Sequence, residues 1–374
     1  MLRRLAPCSV LLACSIALSA CSDAPDAASS ATPPAAATPT AAAAPATPAD
    51  PQVVRGRAVY LRYCALCHGR EAEGYAADHA NALGNQAFLA VATDDFLRAA
   101  IVDGRPGTPM SAWGRAHRGP LEDPMVDALV AYLRSLASEP AVDVSGVRVS
   151  GSVERGRTLY AASCASCHGE RGEGSETATS ISHPNFHRDA SDGFIRHTIE
   201  HGREGTPMPS FADLSSQSLD DLVAFVRSLE HAPDRPTTPG GDPPPGIEDL
   251  VINPDGQPPD FPLRDERFVS ADAVKLALEQ GRRMVILDAR ATSDWANGHI
   301  PGAAPFPFYD IAQMAEHLPH DGTWILAYCA CPHAASGHVV DDLRGRGFEH
   351  TAVIDEGIHY WIDHEYPVEQ GTAP

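Results

Sequence analysis

Apolar residues recur at helical spacing in two separated stretches, Leu129-Val130-Ala131-Tyr132-Leu133-Arg134-Ser135-Leu136 and Leu222-Val223-Ala224-Phe225-Val226-Arg227-Ser228-Leu229. Each predicts the closing helix of a small helical unit. Farther along, the pattern changes: residues 284–288, 323–328 and 351–354 are short, continuously apolar runs, as expected of parallel strands buried on both faces. Helical stretches at 271–280 and 335–346 alternate with them, so residues 263–370 read as an α/β domain. The expected fold class is multidomain, with two all-α units followed by an α/β domain built on a parallel sheet.

The two helical units are copies of one module. Arg55-Gly56-Arg57, Tyr60, Cys64-Ala65-Leu66-Cys67-His68-Gly69 and Gly107-Thr108-Pro109-Met110 return, in the same order, as Arg155-Gly156-Arg157, Tyr160, Cys164-Ala165-Ser166-Cys167-His168-Gly169 and Gly205-Thr206-Pro207-Met208. The offset shrinks along the module from 100 to 98 to 93 residues, as duplication followed by loop trimming would leave it. A proline- and glycine-rich linker at 232–262 separates the repeat from the α/β domain, and Leu250-Val251-Ile252 within it is apolar enough to dock on a neighbour.

The N-terminus has a different character. Arg3 and Arg4 precede a short apolar run at 10–18, and Leu18-Ser19-Ala20-Cys21 ends it, so residues 1–20 read as a cleaved export signal. The tetrapeptide resembles the lipobox of bacterial lipoproteins, which implies an acylated Cys21 and attachment to a bacterial membrane on the periplasmic side of the envelope. Residues 21–51 are mostly Ala, Pro, Thr and Ser, which offer too little apolar surface to offset ordering entropy and so read as a tether.

The chain has 374 residues and a formal charge of -21, which excludes a nucleic-acid-binding role. The charge is uneven: residues 52–138 are neutral, 151–231 carry -5 and 232–374 carry -14. The acidic C-terminal part would repel small anions at long range and could steer a basic partner; the plain alternative is a solvated acidic surface.

The nine cysteines divide into an export group, two Cys-x-x-Cys-His motifs and a loop pair. In Cys-x-x-Cys-His, two thiols can add to the two vinyl groups of a haem while the adjacent histidine reaches the iron. A zinc site would need two further ligands per unit, and a redox dithiol needs no histidine after it. Two such motifs predict two covalently bound c-type haems, at Cys64 and Cys67 and at Cys164 and Cys167.

Residues 52–138 and 151–231 resemble the class I cytochrome c family. Gly56 and Tyr60 with Tyr132, and Gly156 and Tyr160 with Phe225, occupy the places where that family packs its first helix on its last. The resemblance implies His68 and His168 as proximal ligands, and Met110 and Met208, 42 and 40 residues later, as distal ligands of the haem irons. Met125 reads as core; His79, His117, His183, His187, His197 and His201 read as surface residues. The implied function is electron transfer with redox proteins as donors and acceptors.

The α/β domain resembles the rhodanese family in Asp288-Ala289-Arg290, Trp295, Gly298-His299-Ile300-Pro301-Gly302-Ala303, Tyr328-Cys329 and Asp355-Glu356-Gly357 through Trp361. That family moves sulfane sulfur on a cysteine persulfide, which implies Cys329 as the nucleophile and a sulfur species as a possible substrate. The loop Cys329-Ala330-Cys331-Pro332-His333-Ala334-Ala335 departs from the family: Ala334 stands where many members have an anion-binding arginine, and Pro332 lacks an N–H. Cys331 and His333 leave three readings open: thiol chemistry in which Cys331 resolves a persulfide, Cu(I) handling by Cys329, Cys331 and His333, and a non-catalytic docking domain.

Overall fold

A computed structural model describes residues 50–77, 79–105, 108–175, 177–229, 250–330 and 333–371. The export signal, Cys21, nearly all of the tether, the linker's first part, Gly107, Cys331 and Pro332 lie outside the described residues. Among the described residues no helix is long and apolar enough to cross a membrane.

The first lobe is built from α1 (Pro51–Tyr63), α2 (Ala65–His68), α3 (Gln86–Val91), α4 (Asp94–Asp103) and α5 (Asp123–Ser135). The second repeats it as α6 (Val153–Ser163), α7 (Ala165–His168), α8 (Pro184–Asp189), α9 (Asp192–His201) and α10 (Ser216–Ser228). Side-chain caps fix the starts of several helices: Asn85, Thr93, Ser191 and Ser215 each accept a backbone N–H three residues on.

In each lobe the first and last helices cross closely, α1 on α5 and α6 on α10. Gly56 and Gly156 make this possible, since a Cβ on either would fall 1.9 Å from Ala128 O or 2.0 Å from Asp221 O. The Tyr60 ring packs, tilted, against Tyr132 at 5.1 Å, and Tyr160 likewise against Phe225 at 5.0 Å. In the second lobe, Arg155 grips the Asp221 carboxylate through Nε at 2.6 Å and Nη2 at 2.8 Å, and the Ser152 N–H adds a third bond. The Arg155 hydrogen bonds, reinforced by that N–H, hold the Asp221 carboxyl down at about 2, below its unfolded value of about 3.9. A depressed carboxylate stabilises the fold above its unfolded pKa, and the effect fades as pH falls through about 2. Asp221→Asn is therefore expected to lower the melting temperature near pH 7, with the gap closing in strong acid. Thermal melts of both proteins across the acid range check this, and a gap that widens on acidification would contradict it.

The lobes meet reciprocally, with α3 against α9 and α4 against α8. The contact is aromatic: Phe96 stacks on Phe194 at 4.9 Å, flanked by Phe88 and Phe186 at 6.3 and 6.4 Å from Phe194. Asn85 Nδ2 donates to Glu204 O and Asn185 Nδ2 to Gly104 O, one bond in each direction. This packing corrects two sequence expectations. His183 and His187 are buried, because α8 lies between its own lobe and α4.

The C-terminal domain is a five-stranded parallel sheet in the order β1-β5-β4-β2-β3, from β1 (Phe268–Val269), β2 (Met284–Asp288), β3 (Ala304–Pro305), β4 (Trp324–Tyr328) and β5 (Thr351–Ile354). Alternate residues serve opposite faces. Val285, Leu287, Ile325, Ala327 and Val353 pack under α13 (Ile311–Met314) and α14 (Ala334–Gly345). Ile286, Leu326, Ala352 and Ile354 pack under α11 (Ala271–Glu279) and α15 (Gly357–Asp363). Helix α12 (Thr292–Asn297) follows β2. The apolar segment before the domain docks on it, with Leu250 buried and Ile252 bridging to Met284.

Candidate functional site

The two Cys-x-x-Cys-His segments fold identically. Each follows the last turn of the long first helix and forms a single turn, α2 or α7, that ends at the histidine. Tyr60 and Tyr160 each donate a hydroxyl, at 2.7 Å, to the carbonyl of the glycine after that histidine, Gly69 or Gly169. The imidazoles are oriented by backbone: His68 Nδ1 lies 2.8 Å from Asn81 O and His168 Nδ1 lies 3.0 Å from Thr179 O. A carbonyl partner fixes Nδ1 as the protonated nitrogen and leaves the Nε2 lone pair for a metal. Burial lowers both imidazole pKa values, which favours the same neutral form.

Burial pushes the Cys64 thiol up to about 12 and the Cys164 thiol up to about 11, so both are protonated in the empty site. Among the described residues no three His, Cys, Asp or Glu side chains cluster as a metal site.

The described residues of the two methionine turns make matching hydrogen bonds. Thr108 Oγ1 donates to Arg105 O at 2.8 Å and accepts the Met110 N–H at 3.2 Å; Thr206 repeats this with Arg203 O and Met208 N at 2.7 and 3.2 Å. The backbone closes each turn, Arg105 N to Met110 O at 2.8 Å and Arg203 N to Met208 O at 2.9 Å.

Two further residues were missed by sequence reasoning. Arg105 and Arg203 are half-buried with one buried, unpartnered nitrogen each, Nη1 and Nε, and desolvation lowers both guanidinium pKa values to about 10, so they stay cationic at neutral pH. A cationic guanidinium with a buried, unpartnered nitrogen calls for an anion. Haem carries two carboxylates, and the set in each lobe (two thiols, an oriented imidazole, a methionine turn and an arginine with a buried nitrogen) fits it. The signal was present, because the repeated turn extends upstream as Gly104-Arg105 and Gly202-Arg203. Each arginine also lies over a ring of the other lobe, Arg105 over Phe186 at 6.0 Å and Arg203 over Phe88 at 5.1 Å.

In the C-terminal domain Cys329 closes β4, is buried, and has its Sγ 3.2 Å from Ser336 Oγ on α14. Asp288 and Arg290 form an internal clasp. Arg290 binds the Asp288 carboxylate and donates to Gly298 O at 2.6 Å, and Tyr328 OH donates to Asp288 Oδ2 at 2.7 Å. His333 has φ +84 and points its Nε2 at Asp355, 3.1 Å from Oδ1, with its ring against Phe268. Ala334 begins α14 and brings no charge to the loop.

The first lobe and this domain share an aromatic junction. Tyr63, next to Cys64, packs against Tyr309 at 4.9 Å and Trp113 at 5.8 Å, and Trp113 meets Phe308 at 6.4 Å. Phe308 packs in turn on the core that contains Cys329. Arg62 pairs with Asp310, and α14 lies against α2.

Comparison with known proteins agrees with this division. A model described as cytochrome c oxidase, cbb3-type, subunit III matches residues 51–133 and 151–226, and a rhodanese-like domain model matches residues 270–364. A cbb3-type cytochrome c oxidase subunit CcoP of Rhodobacter capsulatus is 28% identical over 218 residues, covering 48% of this chain and 65% of that protein. The chain spans less than two thirds of the length of the curated relatives it matches. Among solved structures, a chain of the Kuenenia stuttgartiensis reducing HAO-like protein complex is 25% identical, covers 47% of this chain and 96% of its own length, and has a TM-score of 0.33. A rhodanese-related protein from Thermoplasma volcanium is 21% identical, covers 28% of this chain and 97% of its own length, and has a TM-score of 0.25. The chain thus joins two cytochrome c domains of the cbb3 oxidase subunit III type, which bind c-type haems, to a C-terminal rhodanese-like domain.

Proposed function

We propose that the protein is a lipid-anchored electron carrier on the periplasmic side of a bacterial membrane, and that its rhodanese-like domain feeds it electrons from sulfane sulfur or thiols through Cys329. In this reading Cys64, Cys67, Cys164 and Cys167 hold the haems, His68 and Met110 flank one iron, and His168 and Met208 flank the other. Arg105 and Arg203 pair with the haem carboxylates. The curated relatives are subunits of an oxidase, which supports a respiratory enzyme as electron partner.

One observation carries the coupling: the aromatic junction Tyr63, Trp113, Tyr309 and Phe308 runs from the Cys64 attachment point to the core around Cys329. The chemistry balances on two electrons. Cys329 thiolate takes the terminal sulfur of a persulfide donor RSSH, and RS⁻ leaves. Joining the resulting persulfide to a second thiol RSH as a trisulfide releases two protons and two electrons, one electron for each haem.

The test is reduction of the oxidised full-length protein by glutathione persulfide, followed by visible absorbance. Reduction is expected to slow by about tenfold or more in Cys329→Ser, as removal of a nucleophile requires. Equal rates in the two proteins would overturn the coupling. A second reading, a docking domain without sulfur chemistry, is favoured by the buried Cys329 and by Ala334 where an anion-binding arginine would stand.

A further inference from the structure

The described residues of the two methionine turns make the same hydrogen bonds, and the turns differ in the residues on their C-terminal side. After Met110 come Ser111, Ala112 and Trp113; after Met208 come Pro209, Ser210 and Phe211. Trp113 and Phe211 mark equivalent places, each donating its N–H to the carbonyl of an isoleucine on the preceding helix, Ile101 or Ile199.

The first turn is covered. Ser111 is buried, and its hydroxyl donates to Asp294 Oδ2 at 2.5 Å. Ser293 Oγ donates to Ala112 O at 2.7 Å, and Thr292 Oγ1 donates to Arg118 O at 2.9 Å. These three residues are consecutive at the start of α12 in the rhodanese-like domain. Trp113 is buried between its own lobe and the rings of Phe308 and Tyr309. The second turn has none of this: Pro209 and Ser210 are exposed, and the Ser210 hydroxyl serves Glu200 O of its own lobe.

We propose that the rhodanese-like domain clamps the methionine turn of the first lobe, with Ser293 and Asp294 as positioning residues for Met110, so that it sets the iron ligation of the first haem and leaves the second alone. The clamp comes directly after β2, and Asp288, Arg290 and Gly298 tie the two ends of α12 to Tyr328, the neighbour of Cys329. A thioether is a weak, neutral ligand whose hold depends on where the backbone keeps it. Hydrogen bonds from a separate domain to the two residues after Met110 restrict that backbone, and the exposed turn after Met208 relies on its own lobe. The inference rests on Met110 as an iron ligand and is independent of any sulfur chemistry at Cys329.

The experiment uses the full-length protein with both haems and four variants, Ser293→Ala/Asp294→Ala, Ser111→Ala, Asp294→Asn and Met110→Ala. Three signals are read: the charge-transfer band that marks sulfur on ferric haem iron, the two midpoint potentials, and amide exchange at residues 111–114. In the double variant the band is expected to fall toward half, one midpoint to drop while the other holds, and exchange at 111–114 to quicken roughly tenfold with no change at Phe211. Asp294→Asn keeps an acceptor for Ser111 and is expected to stay near wild type. Ser111→Ala removes the same bond from the cytochrome side and is expected to weaken the band in the same direction, so it decides the matter where the double variant fails to fold. Wild-type band, potentials and exchange in the alanine variants would overturn the clamp. A wild-type band untouched by Met110→Ala would instead overturn the ligand assignment, and the clamp with it.

Discussion

Serine at both Cys64 and Cys67 should leave one covalent haem per chain instead of two, measured as haem retained by the denatured polypeptide. A hydroxyl does not form the thioether that joins sulfur to a haem vinyl carbon. The matching change at Cys164 and Cys167 should give the same stoichiometry with a different structural outcome. The first lobe carries the aromatic junction, with Tyr63 beside Cys64 and Trp113 three residues after Met110. In the proposed arrangement, loss of that haem removes the group around which His68, Met110 and Arg105 are set, and the seat of Phe308 and Tyr309 loosens with it. Limited proteolysis should therefore open the rhodanese-like domain near residues 304–310 in the first variant and spare it in the second. Two covalent haems in either variant would refute the attachment sites. Equal proteolysis in both would refute the asymmetry.

Gly56→Ala should cost about 3 kcal/mol, at the upper end of overpacking penalties, because the collision is with backbone. The added methyl would lie 1.9 Å from Ala128 O and 2.8 Å from Tyr132 Cβ, and neither can rotate away. Helix α1 would have to lift off α5, pulling Tyr60 from Tyr132 and from its bond to Gly69 O. The equivalent change at Gly156 meets Asp221 O at 2.0 Å and Phe225 Cβ at 2.7 Å, so the same cost is expected there. For lobes of this size that corresponds to a fall in melting temperature of roughly 10–20 °C. A melting temperature within a degree or two of wild type would show that the helices do not cross as closely as described.

These expectations draw on features the sequence displays unevenly. The repeat, the attachment motifs and the strands at 284–288 and 351–354 are written in spacing and composition, which short-range geometry enforces. Strands β1 and β3 are two residues each, too short to carry a pattern. His183 and His187 read as surface residues because their neighbours are polar, yet the first copy of the module packs its α4 against the α8 segment that carries them. The contact of Ser111 with Asp294 spans 183 positions and joins two ordinary polar side chains, so nothing local announces it. Arg105 and Arg203 were legible in principle, because the copies agree two residues farther upstream than the turn itself. The rhodanese-like signature was legible as a family mark, whereas the role of its Asp288 and Arg290 as an internal clasp needed coordinates.

The crossed seating of Arg105 against Phe186 and Arg203 against Phe88 binds the fate of the duplicated modules. Each lobe lends a ring to the other's half-buried arginine. Once that exchange was established, separation into two independent carriers would have exposed an arginine and a phenylalanine on each. Duplication here is a one-way step: substitutions that retune one haem must remain acceptable to its twin.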